Sequence, residues 1–73
     1  MNTKEAVLAV LSRHSISKYR LAKTIGVQPI MIDRYLTGTR MGVKPCREFE
    51  REYLIEIDDV YDPSIKYRED EDE

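Results

Sequence analysis

The sequence predicts a small all-α fold. The form expected is a helix-turn-helix bundle of about four helices, followed by an acidic C-terminal tail. Three observations carry this. Residues 17–38, SKYRLAKTIGVQPIMIDRYLTG, read as a helix, a short glycine-centred turn and a second helix. Apolar residues recur every three or four positions on both sides of that unit. The last five residues, EDEDE, follow a polar stretch and close the chain without any apolar repeat.

The first helix is expected to begin at Asn2. Asn2 and Glu5 have the spacing of a capping pair, and Glu5 also suits the positive end of the helix dipole. Val7, Val10 and Leu11 make its buried stripe, with Leu8 filling the side. Ser17 is a good N-cap for the second helix, because its hydroxyl can accept from an otherwise unpaired backbone N–H. Ile16 and Leu21 flank it as a hydrophobic staple. Leu21, Ala22 and Ile25 form one apolar face, and the small Ala22 lets another helix come close. Gly26 ends the helix, where the chain must take a positive φ. Val27 is expected to plug the gap before the next helix.

The third helix starts after Gln28, with Pro29 at the first helical position, where a missing N–H is no loss. Ile32, Tyr35 and Leu36 point to the core by the i, i+3, i+4 rule. Ile30, Arg34 and Thr37 share the outer face, Asp33 lies on its edge, and Met31 is at the rim. Gly38 closes the helix. Residues 39–44 lack periodicity and read as a loop. Pro45 then opens a fourth helix, in which Cys46, Phe49, Tyr53, Ile57 and Val60 make one stripe and Leu54 widens it. Residues 53–57, YLIEI, are also β-prone, so a short strand competes with helix there. The domain is expected to span residues 1–61, and residues 62–73 to form a disordered acidic tail.

Residues 17–38 resemble the Cro- and repressor-type helix-turn-helix of phage transcription regulators. The resemblance is carried by Leu21, Ala22, Gly26, Val27, Ile32 and Gly38, and it covers about a third of the chain. It implies that the third helix presents the reading surface and that the second crosses a phosphate backbone.

The 73-residue chain has a net charge of −2 that hides a strong polarity. Residues 1–44 carry eight basic and two acidic side chains, a net of +6. Residues 45–73 carry four basic and twelve acidic ones, a net of −8. Lys18, Arg20 and Lys23 flank the second helix, and Arg40 and Lys44 sit in the loop after the third. These five are the candidate contacts to phosphate or to an acidic surface. Gln28, Ile30, Met31, Arg34, Tyr35 and Thr37 are the candidate partner-binding set, for polymerase or for DNA. Gln28 and Arg34 have the chemistry to read base edges, and Ile30 could meet a thymine methyl. Asp33 would repel phosphate. Pro29, Ile30 and Met31, beside Arg34 and Tyr35, look more like the centre of a protein interface.

A compact helix-turn-helix, an acidic tail and very small size together resemble a second group. These are small phage-encoded regulators that bind host RNA polymerase, inhibit initiation by displacing the sigma factor and, in some cases, prevent termination. That resemblance implies RNA polymerase subunits as partners and a monomer. The alternative is a sequence-specific operator-binding repressor, expected to be a dimer.

No cofactor is expected, and no enzyme: no nucleophile–base pair or paired-carboxylate cleft is apparent. His14 and Cys46 are single and lack metal-ligand spacing. The longest apolar run, residues 6–11, is too short to span a membrane. A lone cysteine and no secretory signal fit a reducing cytoplasm, which the phage resemblance implies is that of a bacterial host.

Overall fold

The computed structural model describes residues 1–61. Four helices run in the order α1 (Thr3–Arg13), α2 (Lys18–Ile25), α3 (Pro29–Leu36) and α4 (Val43–Tyr53). There is no named strand among the described residues, only a parallel bridge between Gly42 and Tyr61. The expectation of a disordered acidic tail, residues 62–73, lies outside the described residues.

The helix ends follow local chemistry. The Asn2 side chain accepts from the Glu5 N–H at 2.8 Å, and the Asn2 N–H donates to Glu5 Oε1 at 3.1 Å, which closes the capping box. Ser17 Oγ accepts from the Arg20 N–H at 3.0 Å. Gly26 stops α2 at φ +77°, and its successor's N–H donates to the Ala22 carbonyl at 2.9 Å. A side chain there would take on the strain of the left-handed region. Gln28 offers α3 no side-chain cap, and Pro29 alone sets the entry.

Each helix gives one apolar face to a single core. Ala6, Val7 and Val10 come from α1, and Leu21, Ala22 and Ile25 from α2. Ile32 and Tyr35 come from α3, and Cys46 and Phe49 from α4. Leu11, Ile16, Val27 and Leu36 pack on the edge of this cluster. Leu8 does not fill the side of α1; it is half exposed.

The largest departures lie around α4. The helix starts at Val43 rather than Pro45, with Gly42 as N-cap. Pro45 is tolerated there because the first N–H groups of a helix have no partner within it. The expected loop over residues 39–44 is therefore shorter, and it hides an unforeseen core residue, the fully buried Met41.

The stripe from Cys46 to Val60 also does not stay helical. The helix stops at Tyr53, and Leu54 caps it in the left-handed region at φ +57°. Residues 54–60 are neither helix nor strand, so both readings of YLIEI are corrected. Leu54 does not widen the stripe; it is 88% exposed. Ile57 is buried as expected, but from an irregular segment after the helix.

That segment, residues 55–61, forms a strap across the start of the chain. The Ile57 N–H donates to Glu50 Oε2 at 2.9 Å, which turns the chain back on α4. Asp59 Oδ1 accepts from both the Thr3 N–H, at 2.8 Å, and Thr3 Oγ1, at 2.7 Å. Thr3 Oγ1 in turn accepts from the buried Met41 N–H at 3.0 Å. The Asp58 N–H donates to the Met1 carbonyl, and the Tyr61 N–H to the Met41 carbonyl at 2.8 Å. These bonds outweigh another turn of helix for two reasons. They satisfy groups at the first turn of α1 that have no partner within that helix. They also place the Asp59 carboxylate at the positive end of the α1 dipole.

Candidate partner-binding face

The site is built on α2 and α3, which pack directly against each other around Gly26 and Val27. Both helices present their apolar side to α1 and α4, and their outer sides carry the exposed residues. Ile30, Arg34 and Thr37 are exposed and fall on one face of α3 by helical spacing. Gln28 is exposed at the N-cap of the same helix. Ile30 is 51% exposed, a large apolar group left outside the core. Met31 is half-buried at the rim, packed against the core cluster.

Tyr35 is not part of this face. It is 1% exposed and lies in the core, and burial pushes its phenol pKa up. Its expected role as a partner contact is therefore corrected, and the core role assigned by its spacing is the one it has.

Arg20, Lys23, Arg40 and Lys44 are exposed. Lys18 is exposed as well, but its Nζ donates to Asp33 Oδ1 at 2.8 Å. This pair ties the start of α2 to the middle of α3. It offsets the acid that stood against phosphate binding, and it engages one of the five expected phosphate contacts. Arg40 stacks over the Tyr61 ring at 5.5 Å, at the end of the strap rather than on α3.

Among the described residues, four of the six acids after residue 44 are engaged within the chain. Glu50 and Asp59 are turned onto backbone N–H groups. Asp58 pairs with the chain's amino terminus at 3.3 Å, and Glu48 with Arg51. Of these, Glu50, Asp58 and Asp59 tie the segment after α4 to the rest of the fold.

His14 packs its ring on Tyr53, centroids 5.1 Å apart, and Tyr53 continues to Phe49 at 5.2 Å. Cys46 is buried, and its thiol pKa is pushed up to about 11 by desolvation first and then by the charge and hydrogen bonding of Glu50, with a smaller push from Asp59. Among the described residues no group of histidine, cysteine or carboxylate side chains is arranged to hold a metal, and no helix is long and apolar enough to cross a membrane.

One feature of the face was not foreseen. A cleft of about 280 Å³ opens between α2 and the start of α3, lined by Tyr19, Ala22, Lys23, Val27, Gln28 and Pro29. Tyr19 is 67% exposed beside it. The available signal was Tyr19 itself, an aromatic residue on the polar side of an otherwise regular amphipathic helix.

Comparison with protein-family models, with characterised proteins and with solved structures gives no match.

Proposed function

We propose that this chain is a phage-type transcription regulator that binds the RNA polymerase of a bacterial host. In this reading it inhibits initiation by displacing the sigma factor, and the same contact opposes termination. One observation carries the proposal: the outer face of α3 sets an exposed Ile30 beside Arg34, with Arg20 and Lys23 on the neighbouring helix. Apolar and arginine anchors inside a polar, charged rim are the makeup of a protein-contact surface. No catalytic step is required. A ligand that binds one state of polymerase better than another shifts the equilibrium by its differential affinity.

A second reading, operator binding, is favoured by the Lys18–Asp33 pair. With Asp33 neutralised, the α3 face carries less repulsion toward a polyanion, and Gln28 and Arg34 have base-reading chemistry. In that case the protein would act as a dimer on a palindromic site.

Capture from a bacterial lysate on the tagged full-length chain separates the two. The polymerase reading expects polymerase subunits to be retained by the wild type and lost with Arg34→Glu. Tight selection of one DNA sequence from a random library, with no polymerase captured, would overturn it in favour of the operator.

A further inference from the structure

The cleft between α2 and α3 is close in volume to a hollow of about 260 Å³ lined by Glu50, Leu54, Ile55 and Glu56, but differs from it in charge. Its lining combines the apolar Ala22, Val27 and Pro29 with Tyr19, Lys23 and Gln28. At about 280 Å³ it lies just under the usual range of small-ligand pockets, roughly 300–1,000 Å³. It suits one or two inserted side chains better than an enclosed small molecule. Tyr19 supplies a rigid aromatic wall that is already exposed, so little ordering is needed on contact.

The electrostatic setting has one sign. No acid occurs between Glu5 and Asp33 in the sequence, and Asp33 is paired with Lys18. Lys23 is the charged group of the lining, and Arg20 lies one turn before it on α2. Phosphate alone would leave the apolar part of the lining unused, because an ion gains nothing from alanine, valine and proline. An apolar side chain flanked by carboxylates matches both parts of the site: the apolar group meets Ala22, Val27 and Pro29, and the acids meet Lys23 and Arg20.

The geometry points to this cleft as the docking site for a short acidic protein segment carrying an apolar or aromatic anchor, contributed by the partner. This deepens the reading of α2–α3 as a protein-contact unit and rests on it.

The test is a titration of the isotope-labelled full-length chain at 0.15 M salt, followed by amide chemical shifts. The probe is the peptide acetyl-Glu-Asp-Leu-Phe-Asp-Glu-amide, with a control in which Leu and Phe are replaced by Ser. Saturable shifts are expected at Tyr19, Lys23, Val27 and Gln28. The serine control should bind at least five-fold more weakly. Tyr19→Ala and Lys23→Glu, both at exposed positions, should each weaken the peptide at least five-fold while keeping the wild-type melting curve.

Four results of the titration would overturn the inference. These are absence of saturable binding, equal binding of the serine control, shifts confined to other surfaces, and oligothymidine binding the same residues as tightly as the peptide. A variant with residues 69–73 converted to amides covers the remaining occupant. If it alone moves the cleft resonances, the chain's own acidic segment fills the cleft and the inference fails. The titration contains no polymerase, so its failure leaves the polymerase reading standing. Loss of polymerase capture with peptide binding intact does the reverse.

Discussion

The α2–α3 unit and the strap of residues 55–61 are stabilised in opposite ways. The unit is defined by short-range chemistry: a serine cap, a glycine at φ +77° and a proline at the first helical position, all within one stretch of chain. The strap is defined by bonds between residues distant in sequence, from Asp59 to Thr3, from Asp58 to Met1 and, over a shorter span, from Tyr61 to Met41. The unit leaves its outer surface open. The strap uses its polar groups to bind the protein to itself. The difference separates a surface that has contacts to offer from one whose contacts are already made.

The largest effect is expected from Tyr35→Ala. Emptying this core position should cost about 3–5 kcal/mol, the range for truncating a buried aromatic residue. That is comparable to the whole stability expected of a core this small, about 3–5 kcal/mol, so circular dichroism should show the variant largely unfolded. A folded Tyr35→Ala that has lost only partner binding would return the residue to the interface.

Alkaline pH comes next and acts through Cys46, which α4 carries into the core. The Cys46 thiol titrates at about 11 when folded, against an ordinary value of 9.0. A raised folded pKa contributes stability that is fully present below pH 9 and is lost as pH rises through 11. The loss should reach about 2–3 kcal/mol, at 1.36 kcal/mol per unit. Denaturant midpoints measured from pH 8 to pH 11.5 should fall accordingly, and Cys46→Ser should flatten the part of that fall due to the thiol. Ionisation of buried Tyr35, whose pKa is also raised, acts in the same direction.

Asp59→Ala opens the strap. It leaves the Thr3 N–H and hydroxyl without their acceptor, at a cost of about 1–3 kcal/mol. Amide exchange should accelerate at Thr3, Met41 and Tyr61 while α2 and α3 stay protected. Acceleration spread evenly over all four helices would mean that the strap is not a separate unit.

The smallest effect is expected at the Lys18–Asp33 pair, which is about half exposed on both sides. A double-mutant cycle to alanine should return about 0.2–1 kcal/mol. A larger coupling would make the pair a structural clasp between α2 and α3.

What was legible in the sequence follows the same division. The capping box of Asn2 and Glu5, the Ser17 cap and the Gly26 stop are codes contained within four or five residues, and each appears where its pattern places it. Phe49, Ile32 and Leu21 are buried as helical spacing requires. The same spacing misled after Tyr53, because Ile57 continues the repeat while the helix does not. The decisive partner of that segment is Thr3, which a periodicity argument cannot link to Asp59 across the length of the chain. Met41 was missed for the same reason: an isolated apolar residue in a loop has no pattern, and its burial comes from the strap closing over it. On the candidate face, Ile30 and Arg34 were legible from the helical wheel, whereas Tyr35 met the requirements of both a core and an interface anchor. The Tyr19 cleft arises from the angle between two helices, which no single helix encodes.

The central claim is that the outer face of α2–α3 is the working surface and that polymerase is what it meets. The most direct measurement is equilibrium binding of the full-length chain to purified bacterial RNA polymerase at 0.15 M salt, compared with its Arg34→Glu variant. The account expects saturable binding that weakens at least ten-fold in Arg34→Glu, with the melting temperature unchanged. Absence of binding, or binding of equal strength by both proteins, would contradict it.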